Sequence, residues 1–208
     1  MNISPLIDEA KRLLLKNPRD QIHDLSHHER VWQNALIISQ SLPKEIDQDV
    51  LQAAVFWHDV MISPESLKLG SKGLLKETIN VLDQFLTDKK YGAEFKEKVL
   101  AAVKHHNFLT NHQMNTEGKV LFDADKLDAL HPTRYRQIIQ SIQQKQLSKA
   151  EILVYAQVAK LWLKTMRSRY HFEVSKRMHD RLIKALLKDK EAVSVAKKYG
   201  VDIVKLVR

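Results

Sequence analysis

Apolar positions recur along most of this chain at helical spacing. Ile3, Leu6, Ile7, Ala10, Leu13 and Leu14 lie three or four residues apart and predict a helix over 3–16, which Asn17-Pro18 ends. A second helix is expected to open at Asp24 or Ser26. Ser26-x-x-Glu29 fits a capping box, and Trp32, Ala35, Leu36 and Ile38 carry the pattern towards Pro43. The run from Leu51 to Trp57 is apolar almost all round, which predicts a buried helix over 47–58. Pro64, Gly70 and Gly73 predict a loop over 60–73. Helices follow at 74–87 and 93–107, and the polar stretch 108–118 reads as a loop. The segment around Asp123 and Asp125 predicts the start of a helix that runs to His131-Pro132. Three more helices are expected at 133–144, 149–187 with a break near 168, and 190–206. No stretch alternates as a strand does, so the expected fold class is all-α, with one domain over 1–208.

Composition narrows this picture. The chain has 208 residues, 44% of them hydrophobic, enough for one domain with a sizeable core or at most two small ones. Five Gly and five Pro favour long helices over turn-rich sheet. The absence of Cys excludes disulfides, thiolate metal sites and cysteine nucleophiles. The N-terminus lacks a basic segment followed by an apolar one, and no apolar run reaches membrane-spanning length. A cytoplasmic protein with no membrane partner is the expectation. The net charge of +9 is unevenly placed. Residues 131–208 hold 18 Lys and Arg against 6 Asp and Glu, whereas residues 1–130 are slightly acidic. The C-terminal helices are therefore a basic extension suited to an anionic ligand, or simply a set of solvated faces.

The chemistry gathers around His58-Asp59. A buried apolar helix that finishes on an imidazole and a carboxylate needs partners for them, because unpaired buried polar groups cost several kcal/mol. A metal ion is the candidate partner. His27, in Ser26-His-His-Glu-Arg-Val31, and either Asp123 or Asp125, in Val120-Leu-Phe-Asp-Ala-Asp125-Lys-Leu-Asp, complete an ordered pattern H…HD…D. Imidazole nitrogen with carboxylate oxygen suits Mn²⁺, Fe²⁺, Ni²⁺, Co²⁺ or Zn²⁺ more than Mg²⁺. His23-Asp24 is a second such dipeptide, but it precedes a helix and reads as an N-cap. His28 reads as a residue outside the ligand set or on the surface.

These segments resemble the HD superfamily of metal-dependent phosphohydrolases, closely over about 20–130 and more loosely over 160–190. His27-His-Glu-Arg30-Val31 is similar to the family's H-x-x-R-V helix, His58-Asp59 to its signature doublet, and Glu117–Leu130 to the last-ligand segment of its small bacterial, nucleotide-cleaving branch. The resemblance implies a metal-binding core near 20–130 with one divalent metal, Mn favoured, held by His27, His58, Asp59 and Asp125. It implies catalytic roles for Asp59, Lys126 and His105, and substrate contacts from Lys126, His105, His106 and Arg167. Lys126 binds substrate phosphate or pairs with Asp123 or Asp128. His105 is the expected pocket residue of its pair. The chain departs from that branch at Gly70-Ser71-Lys72, where a His-Ala-Glu stretch is common, so Glu65 or Glu77 is left as a substitute acid. The implied substrate is a small phosphorylated molecule such as a nucleotide. A di-iron oxygenase and a nucleic-acid-binding module are the alternatives, and a homodimer is compatible with the sequence.

Overall fold

Eleven helices account for the regular structure of the described residues of the computed structural model, which are 2–20, 22–44, 46–63, 65, 70–106 and 114–207. No strand occurs among them. The chain divides into two compact units, Met1–Asp125 and Lys126–Arg208.

The first unit is built on α3 (Gln48–Trp57), which packs against α1 (Ser4–Lys16), α2 (Leu25–Gln40) and α5 (Ala93–His105). The reason lies in its sequence. Val50, Leu51, Ala53, Ala54, Val55, Phe56 and Trp57 are all buried, so no face of the helix suits water. The Trp57 indole N–H donates to the Leu6 carbonyl at 3.0 Å and ties α3 to α1. Helix α4 (Gly70–Asp88) packs on α5, and its Thr78 hydroxyl donates to the Val60 carbonyl at 2.6 Å. That bond fixes the chain just past the doublet. Asn17 caps α1 and donates its side-chain amide to the Ile62 carbonyl at 2.6 Å, holding the same segment from the other side.

Helix α6 (Thr116–Asp128) carries the division between the units. Asn115 accepts the Gly118 N–H at 2.8 Å and donates to the Lys98 carbonyl, so it both starts α6 and anchors it to α5. Gly118 lies so close to α5 that a methyl group there would stand 3.3 Å from Ala102 Cα. The second unit continues with α7 (Pro132–Gln143), α8 (Lys149–Arg169), α9 (Glu173–Lys188), α10 (Lys190–Lys198) and α11 (Ile203–Leu206). Its core includes Leu130, Ile139, Ala156, Leu163, Ile183 and Leu186. Ser148 and Glu151 form a reciprocal capping box at the start of α8, and a buried Arg134–Asp128 ion pair at 3.1 Å joins α7 to the end of α6.

Several expected boundaries move. Helix α4 begins at Gly70, so Gly70-Ser71-Lys72 is helical and not loop. Helix α6 begins at Thr116, so Asp123 and Asp125 sit inside it and do not open it. The break expected near 168 falls at 170–172, and the last expected helix is two, α10 and α11. The cap of α2 is Asp24, whose side chain accepts the His27 N–H at 2.9 Å. Ser26 lies within the helix, donates to Asp24 and accepts from Arg30 at 2.8 Å, so the Ser26–Glu29 capping box does not form. A short acid one turn before His27 out-competes the serine because its carboxylate is the stronger acceptor for a charge-assisted bond to the first turn. Residues 64, 66–69 and 108–113 of the two expected loops lie outside the described residues.

Candidate metal centre

Three helices of the first unit bring His27, His58 and Asp125 together. His27 sits in the first turn of α2, His58 caps the C-terminus of α3, and Asp125 lies in the last turns of α6. Asn34 on α2 donates to the Ala124 carbonyl at 3.1 Å and sets α6 beside α2. The three side chains offer ligand atoms within 4.8 Å of one another. The two Nε2 atoms are 3.3 Å apart, and Asp125 Oδ1 is 3.5 Å from His27 Nε2 and 3.8 Å from His58 Nε2.

This triangle fits a divalent ion. A point equidistant from its three corners lies about 2 Å from each, which is the bond length of such ions to imidazole nitrogen and carboxylate oxygen. The imidazole of His58 is also set up as a ligand. Its Nδ1 donates to the Val55 carbonyl at 2.7 Å, which turns Nε2 towards His27 and Asp125.

Asp59 lies beside the triangle, with Oδ2 3.8 Å from His58 Nε2. Its other oxygen accepts from Arg19 Nη1 at 3.0 Å, and His23 Nε2 stands 4.0 Å from Oδ2. Burial alone would raise the pKa of Asp59, but His58, His23 and Arg19 together pull it well below the carboxylate range. For His58 burial works to lower the pKa, yet the hydrogen bond it gives to Asp125, the charges of Asp59 and Asp125, and the Val55 carbonyl raise it. The Asp59 shift reports the positive groups around it, and the His58 shift the negative ones. The two carboxylates create a negative potential at the triangle that draws positive charge.

The histidines around this centre form a packed group. His28 is fully buried, not a surface residue, with its ring 4.7 Å from that of His58. Its Nδ1 donates to the Asp24 carbonyl, while burial first, and then the neighbouring His58 and His27, hold its pKa well below the usual value. His106 caps α5, donates Nδ1 to the Val103 carbonyl at 2.6 Å, and sets its ring edge-on to His58 at 5.2 Å. It is thus His106 whose ring meets His58, and His105 is buried one position earlier. Lys126 follows Asp125 in α6 and places its Nζ over the Trp162 ring, 5.9 Å from the centroid. Arg167 lies on α8 in an exposed, two-bond pairing with Asp180 at 2.8 and 3.0 Å. Glu65 is exposed and Glu77 half-buried.

Three residues next to the doublet are absent from the sequence-derived set. Arg19, Asp20 and His23 all belong to the connection between α1 and α2. The Asp20 carboxylate holds His23 Nδ1 at 2.7 Å and so turns Nε2 towards Asp59. The D-x-x-H spacing of Asp20 and His23 could have signalled the pair, but nothing in the sequence links Arg19 to a residue 40 positions on.

Residues 24–130 match the HD domain family. The chain belongs to that family. Three solved structures share its fold. A predicted HD superfamily hydrolase from an uncultured Thermotogales bacterium is 18% identical, with a TM-score of 0.65 over 95% of this chain and 94% of that one. YpgQ of Bacillus subtilis in complex with ADP is 19% identical, with a TM-score of 0.63 over 95% of both chains. Lin1889 of Listeria innocua is 19% identical, with a TM-score of 0.54 over 91% of this chain and 97% of that one. No curated protein matches the chain. Among the described residues, no helix is long and apolar enough to cross a membrane.

Proposed function

We propose that this protein is a metal-dependent phosphohydrolase that cleaves a phosphate ester or anhydride of a small molecule, in the first instance a nucleotide. The observation that carries the reading is the buried triangle of His27, His58 and Asp125, with the Asp59 carboxylate beside it. These four groups would hold one divalent ion, Mn²⁺ by preference among borderline ions that accept nitrogen and oxygen together. Such an ion supplies an acidified water at neutral pH and positive charge against the phosphoryl group.

The chain's own residues provide the rest. Val55 fixes the ring of His58, and Arg19 fixes the carboxylate of Asp59, so neither ligand has to reorganise when substrate arrives. Burial of the two imidazoles excludes bulk water and strengthens every charge interaction with a phosphoryl group. Lys126, His105, His106 and Arg167 are the proposed substrate-binding groups. The nucleotide preference draws support from ADP in the YpgQ structure, at 19% identity.

The test is a screen of the metal-loaded protein against nucleoside mono-, di- and triphosphates and sugar phosphates, with products separated into phosphate and pyrophosphate. Release of either ion at about one metal per chain supports the reading. Two irons per chain with a coupled spectrum and no hydrolysis would replace it with the oxygenase.

A further inference from the structure

The connection between α1 and α2 is built around the doublet. Asn17, only 7% exposed, is anchored to the Ile62 carbonyl. Asp20 Oδ1 accepts the backbone N–H groups of Ile22 and His23, each at 2.8 Å, and its carboxylate also takes the His23 ring. Arg19 therefore sits between two pinned residues, and its reach to Asp59 is a set position.

An arginine that only balanced Asp59 would bury its fork on that carboxylate. Arg19 instead gives Asp59 a single bond from Nη1, and Asp59 is its hydrogen-bonding partner among the described residues. A guanidinium has five N–H donors, so most of this one is turned elsewhere. Exposure rises outward from the triangle. The side chains of His27 and His58 are at 0%, Asp125 at 8%, Asp59 at 16% and Arg19 at 27%. The guanidinium is the most exposed of these groups, and the imidazoles are closed off from water.

We infer that Arg19 is a substrate-binding residue, whose spare N–H donors take the phosphoryl oxygens of the substrate at the outer edge of Asp59. The inference rests on the phosphohydrolase reading for its ligand class. Charge supports it. A divalent ion is cancelled by Asp59 and Asp125, so Arg19 is the group that leaves this inner set positive towards an anion. Guanidinium is always protonated and matches phosphate geometry with two parallel bonds.

Protein loaded with Mn²⁺ is titrated with inorganic phosphate by calorimetry, and its metal is counted. Arg19→Met is expected to keep about one metal per chain and to bind phosphate roughly tenfold or more weakly. Arg19→Gln, which keeps a donor for Asp59 but no charge, should lose phosphate affinity by a similar factor and raise KM more than it lowers kcat. Phosphate affinity equal to wild type in either folded variant overturns the inference. So does loss of metal in both, because Arg19 would then only hold Asp59. If the wild-type protein hydrolyses no phosphate compound but phosphate binding still depends on Arg19, the proposed function fails and Arg19 stands as a phosphate-binding residue only.

Discussion

The Nε2 atoms of His27 and His58 face each other at 3.3 Å with both rings closed off from water. Two imidazoles cannot settle that approach by one hydrogen bond alone, because Asp125 stands within 4 Å of both. A shared cation would satisfy all three, and it would tie the stability of the protein to the ion.

Chelation is therefore expected to destabilise the folded chain. An ion present at a hundred times its Kd contributes about 2.7 kcal/mol to folding. For a chain of 208 residues this corresponds to a Tm lower by roughly 5–10 °C after treatment with a chelator. Calorimetry of matched metal-loaded and metal-stripped samples measures it. An identical Tm in both would remove the triangle as the metal site.

Asp125 and Lys126 should separate cleanly although they are neighbours. Asp125→Asn replaces an anionic ligand with a neutral amide and is expected to lose most of the bound metal. Lys126→Met keeps an apolar stem against Trp162 and deletes only the charge. It should keep the metal while kcat/KM falls roughly tenfold to a thousandfold. A Lys126→Met variant as active as wild type assigns the lysine to its contact with Trp162 alone.

Asp20 predicts an acid-sensitive contribution. Burial opposes ionisation, but the His23 ring and the N–H groups of Ile22 and His23 bring its pKa from 3.8 down to about 2. A depressed folded pKa stabilises above the unfolded value and loses that effect as pH falls through the folded one. The carboxylate side chain is 37% exposed, so solvent screening holds the gain to about 1 kcal/mol. Asp20→Asn should thus be less stable than wild type at pH 6 by about that amount. The gap should narrow between roughly pH 4 and pH 2, as read from urea unfolding across that range. A gap that stays constant with pH denies the pairing its role.

Gly118 is predicted to resist substitution. Its added methyl would stand 2.9 Å from Asn115 Oδ1 and 3.3 Å from the Ala102 backbone. Alanine usually favours a helix, so a gain would be expected at an open site. Here Gly118→Ala should cost about 1–2 kcal/mol, because it displaces the cap of α6 and crowds α5. Thermal unfolding tests it, and a stabilised variant would show that the two helices can separate freely.

Local pattern determined much of this protein by itself. Helical periodicity is a property of neighbours in sequence, so the helices around 3–16, 47–58 and 93–107 were legible within a few residues. The anomaly of an apolar run ending on His58-Asp59 was equally local, and it pointed to the centre. His27 and Asp125 were legible because their flanking residues resemble a known pattern, and the structure brings their ligand atoms together with that of His58.

Tertiary structure alone decided the rest. The pattern S-x-x-E and the acid at Asp24 both satisfy the rules for starting α2, and only the bond from the His27 N–H to the Asp24 carboxylate chooses between them. The start of α6 followed from Asn115 docking on α5, a contact between separate helices that no window of α6 contains. His28 is polar and follows His27, yet it is fully buried, because α2 is covered on more of its circumference than its own sequence shows. Arg19 and His23 reach Asp59 from a non-periodic connection, and placement by chain folding leaves no repeating mark in the sequence. Which residues could bind a metal was written locally, and what surrounds Asp59 was set by packing across 40 residues of chain.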